Sequence, residues 1–248
     1  MATTTSPIPA PEPSQPINHF GRMTGALFSP KQTFSEIANR PSWLSPMVLL
    51  VVLSSIAGVL VTQKTDWRSF FERQMSQNSR FDQMSQEQKD KILERQMDWA
   101  PKIGMVIAPV ATVVLILVLT LVYWGAFNLF SGAGLDFATS FGISSHALIP
   151  VALSNVLAIV TLVLKAKGDV DPEHILASSL GAILPDNSSH WLTVLGQSVE
   201  LFWIWSLVLV AVGFVAARPK KIKTGSAFAI VFGLWLLYVV CRVGVAAM

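Results

Sequence analysis

Charge is scarce in this sequence. Only 13% of its 248 residues are charged while 52% are hydrophobic, against about 25% and 45–50% in soluble domains. Mean hydropathy is +0.54, and the balance predicts an integral membrane protein. Cysteine is nearly absent: the single Cys241 excludes an internal disulfide and a paired-thiolate metal site. Catalytic signatures are missing too, with no HExxH, GxSxG or P-loop. Lys223-Thr224-Gly225 stands without the Ser-x-x-Lys of a penicillin-binding enzyme and reads as a turn before a span. A net charge of +3, with no basic stripe interleaved with aromatics, argues against nucleic acid as a partner. The N-terminus lacks the basic, apolar, small-residue order of a cleavable signal, so the first span is expected to serve as the insertion signal. Neither enzymatic activity nor a metal or cofactor is expected.

What the sequence has is long apolar runs. Five of them, about 43–62, 103–130, 147–164, 199–217 and 225–245, come near the 20 residues that a crossing helix needs. The predicted fold is all-α: a polytopic membrane protein, a five-transmembrane-helix bundle with amphipathic surface helices. Residues 1–18, broken by Pro7, Pro9, Pro11, Pro13 and Pro16, read as a disordered tail, and 19–248 as the membrane domain. Phe20, Met23, Thr24 and Leu27, then Phe34, Ile37 and Ala38, recur at helical spacing. Between them Ser29, Pro30 and Gln32 predict a helix start with a capping box. These short helices lie either on the membrane surface or on the ends of the bundle.

The polar loop 63–102 holds two amphipathic segments, Asp66–Asn78 and Ser85–Ala100, the second opened by a Ser85/Gln88 capping box. A helical hairpin resting on the bundle is expected, with a partner-docking role as the alternative. Ser131–Ser145 is glycine-rich, without lysine or arginine, and reads as a connection. Lys165–His190 carries Asp169, Asp171, Glu173, His174, Asp186 and His190. It lacks the glycine and bidentate glutamate of a calcium loop and reads as a solvated acidic loop.

Five spans sort the connections onto two faces. One face holds the N-terminus, Ser131–Ser145 and the turn Arg218–Lys223, with Arg22, Lys31, Arg40, Arg218, Lys220, Lys221 and Lys223. The other carries eleven basic residues, eight of them in loop 63–102 among seven acids. A raw count places the long loop inside. The positive-inside bias, however, acts through short loops near span ends, and the turn puts four cations in six residues. The expectation is a multi-pass protein of the inner (cytoplasmic) membrane, N-terminus cytoplasmic and C-terminus on the far side.

Several stretches together resemble the bacterial branch of the YIP-domain family: Phe28-Ser29-Pro30 through Phe34-Ser35-Glu36-Ile37, Arg40-Pro41-Ser42-Trp43, the Gly132–Phe137 loop, Ala147-Leu148-Ile149-Pro150, and Glu200-Leu201-Phe202-Trp203-Ile204-Trp205 with Leu209 and Gly213. The similarity covers roughly 20–245. It implies five spans, a cytoplasmic N-terminus, a very short far-side tail and an acid at the head of span four, here Glu200. Eukaryotic relatives act in vesicle traffic through GTPase contacts, an activity the resemblance does not carry to a bacterial-type chain.

Four residues are structural or partner candidates: Glu200, Arg242, Asn155 and Pro150. Ionisable groups in apolar runs are costly and usually paired or functional. Glu200 and Arg242 lie about 26 and 27 Å from the hairpin turn, so an antiparallel hairpin sets them at one depth. An ion pair, or at least a shared polar layer, is expected, with separate snorkelling as the alternative. Asn155 is expected to hydrogen-bond a neighbouring helix. The small-xxx-small step Ala229-Ile230-Val231-Phe232-Gly233 packs either within the chain or between copies, which leaves a homo-oligomer open. The favoured reading is a non-enzymatic scaffold whose partners are the bilayer and an unidentified membrane or cytoplasmic protein. A small transporter or channel component is the alternative, and would require a polar track through several spans.

Overall fold

A computed structural model describes residues 18–76, 81, 83–172, 175–185 and 188–247. The proline-rich stretch 1–17 lies outside them, as do Glu173, His174, Asp186 and Asn187. The helices are α1 (His19–Phe28), α2 (Pro30–Asn39), α3 (Leu44–Lys64), α4 (Trp67–Ser76), α5 (Gln86–Ser131), α6 (Phe137–Ala147), α7 (Ile149–Leu164), α8 (His190–Ser198), α9 (Leu201–Ala217) and α10 (Thr224–Ala246), with a 3-10 turn at Leu180–Ile183. No strand occurs among the described residues beyond one isolated bridge, Ser179 with Glu200.

Four stretches are long and apolar enough to cross a bilayer: Leu44–Lys64, Met105–Ser131, Phe137–Leu164 and Thr224–Ala246. The fourth of the five apolar runs forms α9, which at 17 residues is shorter. Length alone therefore supports four crossings, one fewer than expected. The reason is local, since Glu200 caps one end of α9 and Arg218 terminates the other.

Three expectations need correction. Ser131–Ser145 is a connection only as far as Asp136; from Phe137 it is helix, and every residue from Thr139 to Ala147 is buried. Asp136 starts that helix by accepting the Thr139 amide at 2.7 Å, an N-cap of the usual kind. The α6 sequence FATSFGISSHA has loop-like composition because small and polar residues are what lets helices approach closely inside a membrane. Leu148 and Pro150 then divide the long third stretch into α6 and α7. Proline has no N–H for the carbonyl four residues back and its ring crowds it.

The second correction concerns loop 63–102. Its second helix does not stop before the span but runs into it, so that α5 is one helix of 46 residues. About 28 Å of it precedes Met105. Its Ser85/Gln88 capping box forms as expected. Third, the Ser29 capping box does not form. Ser29 also ends α1, its N–H bonded to Gly25 O at 2.8 Å, and this holds its backbone away from the extended conformation an N-cap side chain needs.

The core gathers around α9. Phe202, Leu207, Val210, Phe214 and Ala217 are buried along it, and Phe214 stacks on Phe127 of α5 with centroids 4.2 Å apart. The helix α2 lays Thr33, Phe34 and Ile37 inward, which decides the earlier alternative for the short N-terminal helices: α2 packs on the bundle. Gly213 makes this possible. A Cβ there would fall 2.5 Å from Ile143 Cγ2 and 3.1 Å from Phe34 Cδ1, so α2, α6 and α9 meet at a point with no room for a methyl group. Gly213→Ala should cost about 1–3 kcal/mol by overpacking, read as a lower unfolding temperature in detergent. Gly233→Ala, where a Cβ meets nothing within 4 Å, should leave that temperature unchanged.

Candidate functional site

The N-terminal face is built on one charged side chain. Arg22 is only 6% exposed. Its Nε and Nη2 donate to Glu36 Oε1 at 3.3 and 2.9 Å. Its Nη1 donates to Arg40 O at 3.0 Å and to Ser42 Oγ at 2.7 Å. A planar guanidinium can serve these acceptors at once, and so it ties α1, α2 and the approach to α3 together. In the sequence Arg22 counted only as a topological charge. The available signal was its place on the same helical face as Ala26, both buried on α1. Beneath this clamp His146 of α6 is fully buried, with Nδ1 at 2.9 Å from Gly142 O.

The connection Gly132–Asp136 is clamped from α5. Leu135 N–H donates to Asn128 Oδ1 at 2.9 Å, and Leu135 O accepts from Asn128 Nδ2 at 3.0 Å and Trp124 Nε1 at 2.8 Å. Gly132 and Gly134 take the left-handed φ values of 55° and 62° that this tight path requires. Asp136 accepts from the Thr139 amide and, at 2.8 Å, from its hydroxyl. These bonds, the amide first, hold its carboxyl below the ordinary 3.8, with the Arg218 charge adding to the effect. Across the same face Lys221 Nζ donates to Gly132 O at 3.1 Å. The termini of α1 and α2, this connection and the basic turn thus share one face, in the grouping the charge argument used.

On the opposite face the candidates separate. Glu200 caps α9, its carboxylate accepting from Phe202 N at 3.2 Å and Trp203 N at 2.7 Å. Arg242 Nη1 lies 3.4 Å from Ser198 Oγ. The four ion pairs among the described residues do not include Glu200 with Arg242. Arg242 therefore meets the end of α8, through Ser198, and not Glu200. A helix N-terminus satisfies a carboxylate with its own free amides, so Glu200 has its acceptor capacity engaged locally. Asn155 is half-buried on α7 with no hydrogen bond to a described residue. Pro150 is buried at the division between α6 and α7. The far ends of α3 and α7 are joined by Lys64 Nζ to Lys165 O and Gly168 N to Lys64 O, both 2.8 Å.

Most polar side chains within the bundle bond to their own helix. Thr120, Ser145, Ser198 and Ser206 each donate to the carbonyl four residues back, at 2.7, 2.7, 2.7 and 2.9 Å. Thr112 does so as well, and also reaches Ser54 Oγ on α3 at 2.9 Å. No three His, Cys, Asp or Glu side chains among the described residues are grouped to hold a metal ion. His146 lies under α1 and α2, while His190 opens α8 on the opposite face. There, α4 packs along the extramembrane part of α5, burying Met75 and Leu93, while Met97 and Trp99 remain exposed.

The Yip1 domain matches residues 24–244, nearly the whole chain. The chain is also similar to "Membrane protein YknW" of Bacillus subtilis (strain 168), 24% identical over 215 residues that cover 86% of each protein. No solved structure matches it. Neither match names a catalytic activity.

Four outcomes follow from the N-terminal face. Arg22→Ala removes the cation from a largely buried pair and should destabilise the protein by about 3 kcal/mol or more. Arg22→Ala with Glu36→Ala should cost less than the sum of the two single changes, both read by thermal unfolding in detergent. Asp136→Ala loses a cap and should cost about 1 kcal/mol. Because the folded pKa of Asp136 lies below 3.8, its stabilisation is complete above that value and disappears as pH falls through the lower, folded one. Asp136→Asn keeps a capping oxygen but not the charge, so it should lower stability at neutral pH and flatten the acid limb, the two curves converging as pH falls.

Proposed function

The chain belongs to the Yip1 domain family and is a multi-pass membrane protein, and on that premise we propose that it is a non-enzymatic scaffold of the cytoplasmic membrane. The observation that carries the reading is where the intramembrane polar groups are engaged. The hydroxyls of Thr120, Ser145 and Ser206 are satisfied by carbonyls of their own helices, and Asn128 holds a loop. A solute pathway would need such groups facing a shared polar track. A protein that organises others needs a rigid bundle and a surface outside the bilayer. The α4–α5 hairpin offers that surface, for a membrane or extramembrane protein partner.

The finer topology belongs to the same proposal. Five crossings are supported by Arg242 reaching Ser198, which sets the head of α9 level with the foot of the spanning helix α10. The 17 residues of α9 extend about 26 Å, close to a hydrocarbon core of about 30 Å. Helices surround α9 on most sides, so lipid thickness constrains it less. A cytoplasmic N-terminal face is supported by the short basic turn.

The test places a photo-crosslinking residue at Glu94 or Met97 of the hairpin and, for comparison, at the lipid-facing Val118. A discrete protein adduct at the hairpin sites alone is expected. Solute-specific flux in proteoliposomes without any such adduct would replace the scaffold by a transporter. In a Cys241→Ser background, a cysteine at Lys220 should be protected from an impermeant thiol reagent in intact cells and one at Lys91 labelled. The reverse pattern would invert the topology.

A further inference from the structure

The basic turn does more than mark a side of the membrane. Ile222 is 1% exposed and sits in the core, and the N–H groups of Lys221 and Ile222 both bond to Arg218 O, at 3.0 and 2.9 Å. The turn is thus pinned, with Lys220, Lys221 and Lys223 exposed around the anchor. Arg218 has Asp136 nearby, but none of the three lysines has an ion-pair partner among the described residues. Three uncompensated ammonium groups within four residues, held in place by the fold, favour an anion.

What lies beside them narrows the anion. The bond from Lys221 Nζ to Gly132 O brings the turn against the end of α5. There Leu129 and Phe130 are 78% and 69% exposed, inside the span Met105–Ser131. A cationic cluster tied to the end of a membrane-crossing helix whose last turn leaves Leu129 and Phe130 uncovered is complementary to an amphiphile with an anionic head. Free phosphate would use the lysines and leave the ledge bare, while a soluble acidic protein would meet Leu129 and Phe130 only by entering the bilayer. We infer that the Arg218–Lys223 turn and the Leu129–Phe130 ledge form a binding site for an anionic phospholipid of the N-terminal leaflet. This inference needs only the multi-pass character of the chain, and it stands or falls apart from any protein partner.

The test uses the full chain purified in mild detergent, titrated with phosphatidylglycerol or phosphatidylcholine and read by native mass spectrometry. The wild type should retain phosphatidylglycerol about tenfold more than phosphatidylcholine. Lys220→Gln with Lys223→Gln leaves the Lys221–Gly132 bond in place and should lower phosphatidylglycerol retention by about fivefold in all. Lys89→Gln with Lys91→Gln, on the opposite face, should change nothing. Phe130→Ser should weaken retention although it removes no charge. Raising salt from 50 to 500 mM with the wild type gives a reading that no folding defect can disturb, and it should erode the preference. The site is overturned if both lipids are retained alike, if the lysine variant retains phosphatidylglycerol like the wild type, or if the preference ignores salt. Displacement by millimolar inorganic phosphate would make it a free-anion site and overturn the lipid assignment.

Discussion

The close meeting of Phe34, Gly213 and Ile143 is the constraint on which the rest of the structure depends. With Phe34 Cδ1 3.1 Å and Ile143 Cγ2 2.5 Å from the position a Cβ would take, α2 can sit deep against α9 and α6 only because position 213 is bare. That depth sets the clamp above it. Once α2 is seated, Glu36 faces Arg22, and Arg22 reaches Arg40 O and Ser42 Oγ, fixing where α3 enters. Gly142 is a second bare position, where a Cβ would lie 3.1 Å from both Ile37 Cγ2 and Ser42 O. The helix α2 is therefore part of the bundle, and its amphipathic pattern reflects a protein surface, whereas α1 leaves Phe20 and Phe28 exposed.

Their cover also accounts for α6. Phe137–Leu164 has 28 residues, about 42 Å of helix, longer than a hydrocarbon core of about 30 Å. The surplus carries Thr139, Ser140, Ser144, Ser145 and His146, all buried. Groups of this kind in contact with lipid would be expensive; under α1 and α2, with Ser145 and His146 bonded back to carbonyls of α6, most of that cost is avoided. The division at Pro150 then lets α7 leave in a direction that suits α3.

Much of this arrangement was legible in the residues, and the failures share one cause. Apolar runs located the helices, and Ser85 with Gln88 located the start of α5. These signals act within a few residues or through the bilayer itself. Where tertiary packing decides, periodicity misled: α6 looked like a loop because helix–helix seams favour small residues, and α5 looked divided because its polar and apolar halves differ in composition, not in conformation. Counting rise per residue set Glu200 and Arg242 at one level of the hairpin, and Arg242 lies against Ser198, two residues before Glu200. Counting could not show that a helix N-terminus would engage the carboxylate before an arginine did. The Arg22 clamp was hard to read because its acceptors on Glu36, Arg40 and Ser42 lie 14, 18 and 20 residues away and only the fold brings them together.

The two faces that result are chemically unlike. On one, cations outnumber acids and stand in short, pinned segments; on the other, the long hairpin intersperses both signs and pairs several at i,i+4, as in Arg68 with Glu72, Lys91 with Glu87 and Lys102 with Asp98. Such exposed pairs contribute little to stability, but they neutralise the hairpin locally. On the proposed reading the short face attracts an anionic surface, while the long face presents a nearly neutral helical rod with apolar spots at Met97 and Trp99. An asymmetry of this kind suits a protein held firmly at one leaflet and read at the other. It also explains why scarce charge, the first feature of the sequence, is so unevenly used: the bundle excludes it, one face concentrates it, and the other cancels it.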